Sequence, residues 1–246
     1  MTDSCKSYYG SSSSDLRLVL LGNIGCGKTA LADTILAQLS PISPGASRSC
    51  QLRQGFIEGR NVTLVEAPRW YWSGGKMEDG VKKETQRAMT LVPPGPHAIL
   101  LLVPVNQFTE VSLGLPVSDV ICSVWRHTLV LFTYADRLRA SGKAKNNNIE
   151  AYIAGQRGDL LKIVEKCGDR FHVLETERGG GERSNVADLL EKVEQTAKEA
   201  GGQYYSCPAF QEAENREWQG NCRSMFSVSR HSLVLFFDLC CLWLPC

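Results

Sequence analysis

The sequence lacks a dominant sign of charge: 27 Lys and Arg stand against 26 Asp and Glu, a formal net charge of +1 over 246 residues. That balance excludes the basic excess a binder of phosphate backbones needs, so nucleic acid is not expected as a partner. The density of a disulfide scaffold is also missing. Ten cysteines in a chain of this length, without framework spacing, read as free thiols of a reducing, cytoplasmic compartment. Met1 to Ser14 is polar and Ser-rich with no apolar core, so it is not read as a secretory leader. The apolar stretch Ser232 to Cys246 is interrupted by Asp238 and falls short of the roughly 20 residues a membrane-spanning helix needs. At 43% hydrophobic and 22% charged residues the chain does not carry the composition of disorder, and its length suffices for one full core.

What is present is an alternation. Short apolar runs at Leu16 to Leu21, Val62 to Val65, Ala98 to Val103, Leu129 to Tyr134 and Phe171 to Leu174 are bounded by Gly, Pro or polar residues. Helix-like stretches lie between and after them, at Thr29 to Gln38, Lys76 to Leu91, Ile149 to Lys166 and Asn185 to Ala200. Near-continuous apolar strands alternating with amphipathic helices predict an α/β fold, a mostly parallel central sheet with helices on both faces. Gly114 and Pro116 interrupt the place of another crossover helix, which predicts an irregular connection over 110–124. The alternation stops at Gly201 and Gly202. The expected organisation is therefore a disordered Ser-rich lead over 1–14, a nucleotide-binding domain over 15–200 and an extension over 201–246.

Directly after the first strand comes Gly22-Asn23-Ile24-Gly25-Cys26-Gly27-Lys28-Thr29, a GxxxxGK[ST] loop that opens a helix. Successive backbone N–H groups and the positive helix end make a concave site for phosphates. Lys28 would reach the β- and γ-phosphates, and the Thr29 hydroxyl would ligate Mg²⁺. The fourth strand ends in Thr133-Tyr134-Ala135-Asp136, a TxxD at the carboxyl edge of the sheet, where ligands bind in open α/β folds. A carboxylate at Asp136 can accept from the N1–H and N2–H₂ donors of guanine, a pair adenine does not offer. An N-terminal helix cap is the plainer role for the same Asp.

Together with GNIGCGKT, the box PPGPHAILLLVPVNQFT over 93–109, the run WRHTLVLFTYAD over 125–136 and RFHVL over 170–174 resemble the GTPases of immunity-associated proteins. The resemblance spans about 16–200, and the box is its most distinctive part. It implies a Ras-like P-loop NTPase fold, GTP or GDP and Mg²⁺ as ligands, nucleotide-dependent homo-oligomerisation, and frequent membrane attachment through a C-terminal segment.

Several positions depart from that family's pattern. Where it resembles DTPG, this chain has Glu66-Ala67-Pro68-Arg69. Glu66 keeps a carboxylate for the Mg²⁺ shell with one more methylene. Arg69 replaces a glycine; its guanidinium is a candidate for transition-state charge, with a surface Arg beside aromatics as the plainer reading. Trp70 stands where Ras-like enzymes often place a water-orienting Gln, and Trp70, Tyr71 and Trp72 form an aromatic cluster. Ser47 aligns near the first-switch hydroxyl that would join Thr29 and Glu66 at the metal. Glu175, after the last strand, can accept from guanine but cannot donate to O6. These departures favour binding over turnover: the expectation is a slow GTPase that switches with nucleotide state, or else a nucleotide-binding scaffold with little hydrolysis. His97, His127 and His172 sit in or beside apolar runs, without metal spacing, and read as structural. Cys26 would be oxidisable only if the helix end stabilised its thiolate, and inert filler is the plainer reading. The basic run over 137–145 reads as a solvated loop. The tail leaves open an S-acylated or interfacial anchor through Cys240, Cys241 or Cys246, or a docked or altered terminus.

Overall fold

In a computed structural model the described residues are 14–40, 49–69, 78–105, 122–144, 148–155, 158–174, 182–202 and 204–206. The chain divides into two units, Met1–Ser206 and Cys207–Cys246, and every described residue lies in the first. Its elements run β1 (Ser14–Leu21), α1 (Lys28–Leu36), β2 (Gln51–Ile57), β3 (Arg60–Glu66), α2 (Asp79–Ala88), β4 (Ala98–Pro104), α3 (Cys122–Arg126), β5 (Thr128–Thr133), α4 (Ala135–Ala140), α5 (Ile149–Ala154), α6 (Gly158–Lys166), β6 (Phe171–Val173) and α7 (Glu182–Glu199).

Among the described residues six strands form one sheet in the order β2-β3-β1-β4-β5-β6, in which only the β2–β3 pair is antiparallel. All six residues of β5 are buried, as are the first five of β4. That pattern follows from covering a parallel sheet on both faces, where no strand position is left for a polar side chain. On one face Leu16, Leu18 and Leu20 of β1 and Val62 and Leu64 of β3 pack with Leu31 and Ile35 of α1 and Leu189 and Val193 of α7. Those residues hold β1, and hence the loop at its carboxyl end, between two helices.

The five predicted strands are all found, with ends shifted by at most two residues, and each of the first, second and last helices is shorter or longer at its ends than its pattern suggests. Two elements correct the sequence reading. The helix expected over Ile149 to Lys166 is two helices. Gly155 closes α5, its N–H donating to Ala151 and Tyr152 carbonyls, and glycine is a poor helix interior residue. The strand β2 was not anticipated, because in QLRQGFI the polar Gln51, Arg53 and Gln54 and the glycine at 55 leave no apolar run. Gly55 packs closely on α1: a Cβ there would come within 3.1 Å of Leu36 Cδ2, so that side chain would have to shift slightly. Of the irregular connection expected over 110–124, only 122–124 are described, and they open α3.

Past α7, Tyr204–Ser206 remain packed on the sheet domain. The Tyr205 N–H donates to the Pro96 carbonyl at 2.8 Å, and the residue is 5% exposed. The Tyr204 ring lies under the Arg17 guanidinium, 5.6 Å from its centroid. Arg17 also donates to the Gly95 carbonyl at 2.7 Å, and its backbone N–H donates to His97 Nδ1 at 3.0 Å. The first half of the 93–109 box thus binds the segment that follows the last helix.

Candidate phosphate and base site

The loop between β1 and α1 reverses the chain through two left-handed glycines, Gly25 at φ 73° and Gly27 at φ 95°. Gly22 is demanded by close approach: a Cβ there would lie 2.4 Å from Cys26 Sγ and 2.9 Å from the Leu102 carbonyl oxygen of β4. Asn23 closes the turn, its side chain accepting from Ile24 N–H at 2.9 Å and its carbonyl from Cys26 N–H at 3.3 Å. Lys28 turns back over this loop and is 4% exposed. Its ammonium donates to the Gly22 carbonyl, to the Asn23 carbonyl at 3.2 Å, and lies 3.8 Å from Cys26 Sγ. Burial lowers the Lys28 pKa, partly offset by Cys26 and Glu66. Burial likewise raises that of Cys26, with Lys28 opposing. The Cys26 thiol is therefore held protonated and enclosed, which agrees with its reading as filler.

Thr29 and Glu66, 37 residues apart in sequence, meet because β3 runs parallel beside β1 with Leu20 opposite Glu66. The Thr29 hydroxyl donates to Glu66 Oε1 at 2.5 Å, and Glu66 is 8% exposed. Two oxygen donors held in contact at the end of a phosphate loop suit Mg²⁺, which takes one or two protein oxygens and completes its shell with phosphate and water. Arg69 follows three residues on, half-buried, and its charge reaches Lys28, lowering that pKa further.

The end of β5 closes the other side. The buried Thr133 hydroxyl donates to the Cys26 carbonyl at 2.9 Å, and the Tyr134 hydroxyl to the Gly25 carbonyl at 3.0 Å. Tyr134 takes a left-handed backbone, φ 63°, and its hydroxyl oxygen would be 3.4 Å from a Cβ at Gly27. The Arg137 guanidinium covers the Tyr134 ring at 4.6 Å. Asp136 sits in the first turn of α4, half-buried, on the same carboxyl edge of the sheet.

Of the residues expected at the site, Gly22 to Thr29, Glu66, Arg69, Thr133 and Asp136 are brought to one edge of the sheet. Ser47, Glu175 and the cluster of Trp70, Tyr71 and Trp72 lie outside the described residues. The TxxD pattern leaves Tyr134 unspecified, and its clamp on the loop is an addition. The hint available in sequence was the pair of glycines opposite it, which leave room for a ring. His127 Nδ1 lies 3.2 Å from the His97 carbonyl, and burial holds His97 and His172 down at about 4, as befits structural groups.

The model of the AIG1 family matches residues 16–223. The chain is 26% identical over 203 residues to human GTPase IMAP family member 8, covering 78% of this chain and 29% of that protein. To immune-associated nucleotide-binding protein 9 of Arabidopsis thaliana it is 27% identical over 223 residues, covering 83% and 62%. The chain thus spans between about three tenths and six tenths of the length of these relatives. Its fold is similar to that of Toc33 from Arabidopsis thaliana, solved in complex with GDP and Mg²⁺, at a TM-score of 0.53, 13% identity and coverage of 75% and 84%.

Proposed function

This chain belongs to the AIG1 family, and we propose that it binds guanine nucleotide with Mg²⁺, hydrolyses GTP slowly, and changes its association with nucleotide state. The observation that carries this reading is the contact of Thr29 with Glu66 beside the buried Lys28. It puts the hydroxyl and carboxylate a metal needs next to the cation that phosphates need. Thr29 and Glu66 would hold Mg²⁺, which when bound neutralises charge on the β- and γ-phosphates. Lys28 and the N–H groups of Gly25 to Thr29 would bind the phosphates, and an anion beside Lys28 would restore the charge that burial disfavours. Asp136 would accept from guanine, with Thr133 and Tyr134 fixing the loop against the base segment. Arg69, whose charge reaches Lys28, would be able to meet developing charge. Ser47 would complete the metal shell, and Glu175 would border the base.

A scaffold that binds nucleotide without useful turnover is the second reading, favoured by Arg69 and Trp70 where a glycine and a Gln are usual. Free thiols at Cys26, Cys50 and Cys167 support a cytoplasmic setting. Among the described residues no helix is long and apolar enough to cross a membrane. Membrane association would rest on the tail over 232–246, which lies outside them.

Nucleotide titration followed by single-turnover hydrolysis tests both readings. The expected result is Mg²⁺-dependent GTP binding, lost in Lys28→Ala and redirected to xanthosine triphosphate in Asp136→Asn, with turnover above buffer. Binding with turnover equal to buffer would select the scaffold. An unchanged base preference in Asp136→Asn would remove the guanine assignment.

A further inference from the structure

We propose that β2 is a homotypic docking edge, through which two copies of this chain pair antiparallel about a two-fold axis at Gln54 and join their sheets into one. Among the described residues the strand is terminal in the sheet order, and no other described strand pairs with its outer side. Which peptide groups face that side follows from the hairpin. Glu58 and Gly59, at φ 48° and 76°, form a two-residue turn with the positive angles of a type I′ turn, closed by the Ile57–Arg60 pair. Such a closing pair is hydrogen-bonded, and bonded pairs recur at every second residue. Gly55, Arg53 and Gln51 therefore bond inward to β3, while Leu52, Gln54 and Phe56 direct their N–H and C=O outward. The Gln54 carbonyl accordingly meets a side chain from outside the ladder, the exposed Gln38 amide at 3.3 Å.

The same three residues carry the open face. Leu52 is 47% and Phe56 65% exposed, on either side of the exposed Gln54. Sheet edges are usually guarded by Lys, Pro, a bulge or an outward charge. This strand has no Lys or Pro, and its register with β3 is unbroken over seven pairs. Its single charge, Arg53, is turned to the other face and bound to Asp33 and Ser40 at 2.7 Å each.

The occupant is set by the pattern Leu52-x-Gln54-x-Phe56. With the axis at Gln54, each Leu52 falls opposite Phe56 of the partner subunit, and the two Gln54 residues face each other. All three are outward-bonding positions, so each pair exchanges two N–H···O bonds and both exposed apolar side chains are covered at once. A second copy supplies that match without a further requirement. The long Gln38 contact is what pairing displaces. Because β3 separates β2 from β1, the edge is apart from the phosphate loop, and pairing through it does not depend on nucleotide.

Sedimentation of the full chain over roughly 1 to 100 μM, with and without GDP, tests the proposal. A reversible dimer in both conditions is expected. Gln54→Pro removes an outward N–H and leaves the β3 ladder intact, so it should yield a monomer. Leu52→Glu and Phe56→Lys singly set a charge against an apolar side chain and should each weaken association by about tenfold or more. The double variant sets Glu against Lys twice and should regain the dimer. A monomer throughout, a dimer indifferent to these changes, a dimer found only with nucleotide, or a double variant no better than the singles would each overturn it. Circular dichroism checks folding, and if Gln54→Pro does not fold the charge-swap series decides.

Discussion

Tyr134 stands where β5 gives way to α4, in a left-handed conformation that places its hydroxyl on the Gly25 carbonyl and its ring against Gly27. Identity at such a position is decided by what lies opposite, and nothing in the spacing T-x-x-D says that the second residue reaches the phosphate loop. Tyr134→Phe removes one neutral hydrogen bond, about 0.5–1.5 kcal/mol. The expected outcome is a loss of nucleotide affinity of roughly two- to tenfold with an unchanged fold; Tyr134→Ala, which also removes the ring, should lose more. Equal affinities in all three proteins, measured by titration, would show that the loop holds its shape without the clamp. Gly22, Lys28 and Thr29 were readable because the GxxxxGK[ST] pattern sets residue type at fixed spacing. Glu66 was readable as a carboxylate, whereas its contact with Thr29 needed the parallel pairing of β1 with β3.

Element by element, hydrophobic runs located the five parallel strands because burial on both faces leaves a continuous apolar string. β2 escaped because its apolar residues Leu52, Phe56 and Ile57 are separated by Arg53, Gln54 and Gly55, so no continuous apolar string marks it. The helix pattern over 149–166 hid the end of α5 at Gly155, since apolar spacing continues through both pieces. The box over 93–109 carries another decision invisible to periodicity. Gly95, at φ 149°, leaves no room for a side chain: a Cβ would lie 2.0 Å from the Tyr205 carbonyl oxygen. Gly95→Ala must push the Tyr204–Ser206 segment off Pro96, a steric conflict of about 1–3 kcal/mol. Thermal unfolding of the variant should therefore occur below that of the parent, and Tyr205→Ala should shift it the same way. An unaltered midpoint in both would mean that this segment contributes nothing to the domain's stability.

Across the whole molecule, His97 and His172 stand at separate places on the sheet, one before β4 and one in β6, and both are held near 4 against an ordinary value of 6.5, chiefly by burial. His127, before β5, is lowered for the same first reason. A histidine with a depressed folded pKa stabilises the fold fully above the unfolded value and loses that contribution as pH falls toward the folded one. Stability should accordingly decline between about pH 6.5 and 4, before ordinary carboxylates are fully protonated. Melting curves across that range check it, and His172→Phe should make the decline shallower; a midpoint that holds or rises below pH 6.5 would contradict the burial of these rings. The sequence by itself determined the class of fold, the strand before the loop, the phosphate-binding motif and the TxxD. Each depends on local chemistry, on apolar continuity or on residue types at short, fixed spacing. Only the tertiary structure decided which carboxylate meets Thr29, that Thr133 and Tyr134 brace the phosphate loop, that Tyr205 docks beneath Pro96, and which strand is left as an edge. Those are contacts between segments far apart in the chain, and strand order, which no local pattern encodes, is what brings them within a hydrogen bond of each other.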